Sequence, residues 1–168
     1  TPIGYLGSGK GGGVELTMVS LIKGLLSLGH KIILVAPEGS SLPQDCINVE
    51  IKHVSGTDQL SWQHQSNDAD VKIPVDGLLP KLWEVALDLG KRADAVLNFS
   101  YDWLPIWISN YVEPEIFHLI SMGGVSEIMR RLIKDLSQSE PHRLAFHTYR
   151  QAADYELEIH PEIVGNGF

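Results

Sequence analysis

Apolar positions near the start of the chain recur with the period of a helix. They stand at offsets of 0, 4, 7, 8, 11 and 12 and form one stripe, made of Val14, Met18, Leu21, Ile22, Leu25 and Leu26. This spacing predicts an amphipathic helix that begins at the glycine-rich run Gly7–Gly13. Gly29 suits the left-handed residue that ends such a helix, and the continuous apolar run Ile32–Ala36 predicts a buried strand after it.

The two patterns alternate along the rest of the chain. Further strands are predicted at 48–54, 95–99, 117–121, 144–148 and 162–164, and further helices at 78–89, 125–136 and 151–157. A polar, irregular segment at 55–75 predicts a long loop, of the kind that is usually functional or mobile. Alternating strands and helices predict an α/β fold, a Rossmann-like, mainly parallel sheet with helices on both faces. A glycine-rich turn normally follows a strand, and only six residues precede Gly7, so the first strand is predicted to be missing.

Composition narrows the classes of partner. Among the 168 residues, 13 Lys and Arg oppose 21 Asp and Glu, and the net charge of −8 argues against a nucleic-acid surface. The single cysteine, Cys46, cannot form a disulfide within the chain, and the histidines and acids lack the spacing of metal ligands. Apolar runs are far too short to span a membrane. The sequence therefore predicts a cytoplasmic protein with no metal site, no nucleic-acid partner and no membrane span.

The glycine-rich run fits two known nucleotide-binding patterns, each with a defect. Gly4–Lys10 has the spacing of a P-loop, but Gly11 stands where a Ser or Thr must hold magnesium. Gly7–Gly12 fits GxGxxG, but the nearest acid after the following strand, Glu38, lies too far along the chain for a dinucleotide site. Both interpretations are therefore weak.

A simpler interpretation rests on the missing side chains of Gly11–Gly13. A ligand can approach the backbone closely where a helix begins, and the free amides and the helix dipole favour phosphate or carboxylate there. Glu15, in the first turn, would compete with an anionic ligand. The alternative is a surface turn that binds nothing.

Other candidates lie after predicted strands. Asp102 and Trp103 stand where ligands bind in open α/β sheets, and an aromatic ring there can stack on a planar molecule. Trp103 and Trp107 also have helical spacing, so packing in the core is an equal alternative. His147 ends a predicted strand and either reaches the cleft or has a structural role. For the pair Arg130–Arg131, a solvated helix face is predicted.

Motifs at both ends of the chain combine into a family pattern. A Gly-Gly-x-Glu opening stands at Gly12–Glu15, Leu-x-x-Gly-His at Leu26–His30, and a strand ending in a small residue and Pro at Ile32–Pro37. Asp94–Leu104 and Val164–Phe168 are similar to an active-site strand and to a crossing between two lobes. Together they resemble the amino-terminal lobe of retaining glycosyltransferases of family four, which have the GT-B fold. The extended glycine stretch is most similar to the UDP-glucose:tetrahydrobiopterin (pterin) glucosyltransferases of that family.

The resemblance implies that residues 1–168 are the acceptor-side domain of a hexosyltransferase whose carboxyl-terminal, donor-binding domain lies outside this chain. Such an enzyme moves a sugar, here glucose from UDP-glucose, to a small acceptor such as tetrahydrobiopterin, without a metal or another cofactor. Gly12, Gly13 and Glu15 then lie nearest the donor diphosphate, where backbone amides can stabilise the developing charge. The chain alone is expected to be inactive.

Two departures from the family bear on the acceptor side. Many relatives carry a His near the transferred sugar, but His118 comes too early in this chain to match it, so Ser121, Met122 and Gly123 occupy that position instead. Relatives also often carry a His just before the Asp-Trp pair, where this chain has Tyr101. The resemblance thus implies catalytic roles for Asp102 and Ser121. It implies acceptor binding by Tyr101, Trp103, Met122, Gly123 and His147. The alternative is a free-standing Rossmann-like module that binds a small anionic or nucleotide ligand without catalysis.

Overall fold

Helices and strands alternate along residues 2–165, the part of the chain that the computed structural model describes. The helices are α1 (Gly13–Ser27), α2 (Leu78–Gly90), α3 (Trp103–Ile108), α4 (Glu127–Ser139) and α5 (Tyr149–Ala153). The strands are β1 (Ile32–Pro37), β2 (Val49–Val54), β3 (Val96–Asn98), β4 (Ile116–Ile120), β5 (Leu144–Phe146) and β6 (Glu162–Ile163). Two 3-10 turns complete the set, at Trp62–His64 and Pro141–Arg143.

Each pairing of these strands is parallel. β1 pairs with β2 in one sheet, and the second sheet has the order β3-β4-β5-β6. Parallel neighbours need a crossover, and α3, α4 and α5 supply the crossovers between successive strands of the second sheet. The molecule is therefore α/β with parallel sheets flanked by helices, which is consistent with a Rossmann-like fold and confirms the predicted fold class.

The described residues divide into two compact units. The first comprises residues 2–59 and 73–85, and the second comprises residues 60–72 and 86–165. In the first unit the predicted stripe of α1 is buried or half-buried, and Gly29 ends the helix with a φ of 85°. A small core joins β2 to α2; its buried members are Val54, Leu78 and Leu82. The first unit thus confirms the predicted helix and its left-handed end.

The second unit contains the larger core. β4 alternates between buried and half-buried residues, as a strand does when one face packs more deeply than the other. α4 turns its apolar stripe onto this sheet, and the buried core comprises Ile106, Ile120, Met129, Ile133, Leu136, Leu144, Phe146, Ala152 and Tyr155. No helix within residues 2–165 is both long and apolar enough to cross a membrane.

Several element boundaries differ from the sequence-based prediction. The sequence predicts α3 only through the helical spacing of two tryptophans, and in the structure this helix begins after Asp102, whose side chain accepts from the Trp103 amide as its N-cap. β5 ends at Phe146, so His147 follows the strand instead of ending it. Within the predicted long loop, Trp62 is buried and begins a 3-10 turn. Of the predicted lobe crossing Val164–Phe168, residues 166–168 lie outside the described residues.

Candidate functional site

The glycine-rich run forms successive turns ahead of α1. Gly7, Gly9 and Gly12 have φ values of 94°, 77° and 52°, which side-chain-bearing residues rarely adopt. The run is anchored to the turn after β1, because the amide of Leu6 donates to the Ser40 hydroxyl at 2.9 Å. The glycines are therefore required by the course of the backbone, whatever else they do.

The loop amides converge on one carboxylate of the same chain. The N–H groups of Gly7 and Gly11 donate to Glu15 at 2.8 Å each, and that of Gly9 donates at 3.3 Å. The Ser8 hydroxyl adds a fourth bond at 3.3 Å. Burial raises the pKa of the Glu15 carboxyl, but the bonds from these four donors outweigh it and hold the pKa below its ordinary value. The loop is thus a built receptor for an oxyanion, filled by its own glutamate.

The three residues predicted to lie nearest the diphosphate differ in their surroundings. Glu15 organises the loop from within, whereas Gly12 and Gly13 are exposed and have open space where a Cβ would stand. Lys10, the residue at the P-loop lysine position, forms a surface ion pair with Asp58 at 3.4 Å. Contact of Gly12, Gly13 or Glu15 with a diphosphate stays a prediction.

The remaining predicted residues all follow the carboxyl ends of strands in the second unit. The parallel register aligns Asn98 with His118 and Ile120 with Phe146, so the loops after β3, β4 and β5 leave the sheet at one edge. In doubly wound α/β folds this edge is where ligands bind. Of the predicted residues, Tyr101, Asp102 and Trp103 follow β3, Ser121, Met122 and Gly123 follow β4, and His147 follows β5.

A pair of tyrosines holds two of these loops together. The hydroxyl of Tyr155 donates to the Met122 carbonyl at 2.8 Å and lies 3.1 Å from the hydroxyl of Tyr101. The Tyr101 hydroxyl donates in turn to the Gly123 carbonyl at 3.1 Å. Burial raises the pKa of both tyrosines, so both remain protonated donors. Tyr101, Met122 and Gly123 are thus brought together, and the hydroxyl of Tyr101 is already engaged.

Asp102 and Trp103 form the head of α3. Asp102 is 2 % exposed, and its carboxylate accepts a hydrogen bond from the Trp103 amide at 2.8 Å. Trp103 packs against the core, and its ring lies 6.4 Å from that of Trp107, which is 48 % exposed. The structure therefore gives Asp102 a capping role and places Trp103 partly in the core.

Ser121 and His147 differ in how far they are engaged. The hydroxyl of Ser121 is buried and has no hydrogen-bond partner within residues 2–165. Both the backbone and the ring of His147 are engaged. Its amide donates to Gln151 Oε1 at 2.9 Å, and its Nδ1 lies 2.9 Å from the Gly165 carbonyl. Of the two side chains, Ser121 is therefore the one whose hydrogen-bonding capacity is unused within residues 2–165.

Sequence reasoning missed two residues that shape this edge. Gln151 donates through Nε2 to the carbonyls of Ile120 and Met122 at 2.9 and 3.1 Å, and Tyr155 makes the bonds described above. Neither residue stands in a recognisable motif, because both act from α5 or just beyond it on carbonyls about thirty positions earlier. Only the fold reveals these contacts.

His118 is buried in β4, where it pairs with Asn98. The Asn98 Nδ2 lies 3.1 Å from His118 Nδ1, while His118 Nε2 has no partner in the described part of the chain. Burial, with a smaller contribution from the Arg143 charge, lowers the pKa of His118 to about 3. A neutral structural histidine agrees with its place two residues before the end of the strand.

Across residues 2–165, no group of three or more His, Cys, Asp or Glu side chains is arranged to hold a metal ion. No protein-family model matches the chain. No curated protein is similar enough to be matched.

Proposed function

We propose that the chain is the acceptor-binding lobe of a retaining glycosyltransferase, which transfers glucose from UDP-glucose to a small acceptor such as a pterin. The observation that carries this proposal is the glycine loop, which Glu15 holds through the amides of Gly7, Gly9 and Gly11 while the backbone of Gly12 and Gly13 stays exposed with open space around it. Its resemblance to the family-four opening motif supplies the reaction class.

In this proposal Glu15 keeps the loop in shape, and the exposed backbone of Gly12 and Gly13 faces the donor. The amide of Gly13 stands at the head of a 15-residue helix, where the dipole favours the charge that develops on the departing diphosphate. The acceptor oxygen forms a bond to the anomeric carbon while the bond from that carbon to the diphosphate breaks. The proton of the acceptor hydroxyl passes to the diphosphate.

On the acceptor side, the second unit offers Ser121 as a free hydroxyl and Trp103 as a partly exposed ring. We assign Asp102 to the reaction through α3, whose first turn it caps, and Tyr101, Met122, Gly123 and His147 to the wall of the acceptor site. Together these groups suit a flat, polar molecule, because rings stack on aromatic faces and hydroxyl groups fix its edge.

The test is mass spectrometry of the whole gene product incubated with several nucleotide sugars and tetrahydrobiopterin. A glucosylated pterin formed from UDP-glucose is the expected product. The variant Gly13→Val should lose at least tenfold in kcat/KM, because a side chain then stands where the donor approaches the backbone. Gly24→Val is the matched control, since Gly24 lies exposed on the same helix with open space around it.

A second candidate function is the binding of a small anion without catalysis. The geometry of the glycine loop favours it, because this function requires only groups of this chain. Saturable binding of UDP-glucose or inorganic phosphate that depends on Gly13, with no product from any sugar, would establish this alternative. Equal turnover by Gly13→Val and wild type would overturn the role assigned to the loop in the first.

A further inference from the structure

A groove lies in the first unit between the end of α1 and the segment that leads into β2. It has a volume of about 560 Å³, and its walls come from residues 23–31 and 45–48. Each wall directly precedes a strand, because β1 begins at Ile32 and β2 at Val49. The groove therefore lies at the amino ends of β1 and β2, whereas the glycine loop stands at the other end of the 15-residue helix α1, about 20 Å along its axis.

The acceptor groups of the groove are already engaged. Lys23 Nζ in α1 lies 2.7 Å from Asp45 Oδ2, and this ion pair joins the two walls. The last carbonyls of α1, those of residues 24–26, accept from the amides of residues 28–30. The carboxylate and these carbonyls therefore leave a cationic partner little to bind.

Two basic side chains of the groove have no acidic partner. His30 and Lys31 are exposed, and neither forms an ion pair within residues 2–165. The next carboxylate along β2, that of Glu50, pairs with Lys52 at 2.8 Å. Two lysines and a histidine thus line the groove with one aspartate, although the whole chain has a net charge of −8. This local excess of donors is complementary to an acidic partner.

Apolar side chains accompany these charges. Ile47 lines the groove and is 69 % exposed, and Leu26 on the other wall is half-buried. A site for a small molecule buries roughly 70–90 % of its ligand, and walls as open as these would leave most of such a ligand in water. A peptide segment instead contacts both walls along its length. The groove is therefore shaped for a segment of another protein.

We infer that this groove docks an acidic segment of a partner protein, whose carboxylate binds Lys31 and whose apolar side chain packs between Leu26 and Ile47. The charge steers the encounter and selects the partner, and the apolar contact adds affinity by removing Ile47 from water. The inference goes beyond sugar transfer and does not depend on it, because the groove and the glycine loop lie at opposite ends of α1.

The test is NMR titration of the 168-residue chain with the peptide acetyl-Glu-Leu-Glu-Leu-amide. We expect saturable shifts confined to the amides of residues 23–31 and 45–48, and an apparent Kd that rises as salt is added. The same peptide with Gln in place of Glu should bind about threefold more weakly or worse, because it cannot pair with Lys31. N-acetyl-leucine carries one carboxylate and one apolar side chain, and tighter binding of this small acid than of the peptide would overturn a protein segment as the occupant.

Lys31→Gln should raise the apparent Kd of the acidic peptide about three- to fivefold, the effect expected of one exposed ion pair. Ile47→Ser should raise it about threefold or more, because the apolar wall is lost. Lys72→Gln is the matched control, since Lys72 is also exposed and unpaired within the described residues but lies outside the groove, and it should leave the Kd unchanged. Equal binding of the Glu and Gln peptides, equal weakening by Lys31→Gln and Lys72→Gln, or no shift at residues 23–31 and 45–48 would each overturn the inference.

Discussion

The glycine loop of the first unit and the carboxyl edge of the second sheet are held in opposite ways. In the loop, amides donate to a carboxylate only four, six and eight positions further along the chain, at the surface. At the sheet edge, partly buried bonds join tyrosine hydroxyls to carbonyls 22 and 33 positions away and join two tyrosine hydroxyls that are 54 positions apart. One region is built from neighbouring residues and the other from distant ones.

This difference determines how each region can respond to a ligand. The loop can release Glu15 without disturbing a core, because the glutamate and its donors are near the surface. At the sheet edge, Tyr155 and Gln151 bond to carbonyls at the end of β4 and just after it, and Gln151 also accepts from the His147 amide after β5, so their loss would loosen the loops that follow these strands. We therefore expect adaptable binding at the loop and rigid binding at the edge.

The largest effect is expected for Tyr155→Ala. The ring is 1 % exposed and lies 5.6 Å from that of Phe146, so truncation should lower the free energy of unfolding by about 3–5 kcal/mol. Tyr155→Phe keeps the ring and should lower it by about 1–2 kcal/mol. Urea unfolding measures both. Tyr149→Ala, which truncates an exposed tyrosine of α5, is the control, and an equally large loss there would contradict the buried role of Tyr155.

The next effect concerns the pH dependence caused by His118. Its folded pKa of about 3 lies below the ordinary value of 6.5, so the unfolded chain takes up a proton first as the pH falls. The contribution of the neutral His118 to the free energy of unfolding is therefore fully present above its ordinary pKa of 6.5. It is lost progressively as the pH falls from 6.5 to about 3. Between pH 7 and pH 5 the wild type should lose about 2 kcal/mol more than His118→Gln. If the urea midpoints of the two proteins fell by the same amount between pH 7 and pH 5, the lowered pKa of His118 would be contradicted.

A smaller effect is expected at the glycine loop for Glu15→Gln. The amide group of Gln cannot accept from all four donors, so hydrogen exchange at Gly7, Gly9 and Gly11 should accelerate at least tenfold while stability falls by about 1 kcal/mol. Because the pKa of Glu15 is lowered, its contribution is present above the ordinary pKa of 4.5 and is lost as the pH falls through the lower folded value. Leu16→Ala, which alters an exposed neighbour, should leave exchange unchanged.

The smallest effect is expected for Lys10→Ala. Its ion pair with Asp58 is exposed on both sides, and such pairs contribute about 0–1 kcal/mol to stability. Thermal unfolding at low and high salt should show a loss below about 0.5 kcal/mol that disappears as salt is added. A larger loss would mean that the loop is held by its surface charges as well as by Glu15.

Much of the fold could be predicted because its signals are local. The stripe from Val14 to Leu26 and the left-handed Gly29 specify α1, and the apolar run from Ile32 specifies β1, with no knowledge of the rest of the chain. α3 was harder to predict, because six residues give less than two turns of periodicity and its start depends on the Asp102 cap.

The candidate site could be predicted only in part. The resemblance assigns Tyr101, Met122 and Gly123 to one acceptor site, which stays a prediction. In the structure Tyr101 bonds directly to the Gly123 carbonyl, and Tyr155 links Tyr101 to the Met122 carbonyl. The position of Glu15 in the first turn predicts that it competes with an anionic ligand, and this stays a prediction. Its four donors depend on the exact turns of the loop.

Parallel pairing has a consequence for the order in which the chain can fold during synthesis. β3 ends at Asn98, but its partner β4 is complete only at Ile120, after α3 has been made. At a translation rate of about 5–20 residues per second, β3 waits on the order of one to four seconds for its first neighbour. During that interval the apolar residues of β3 and α3 have no sheet to pack against. The second sheet therefore grows one strand at a time as the chain is made, because each strand has to wait for a partner that lies later in the sequence.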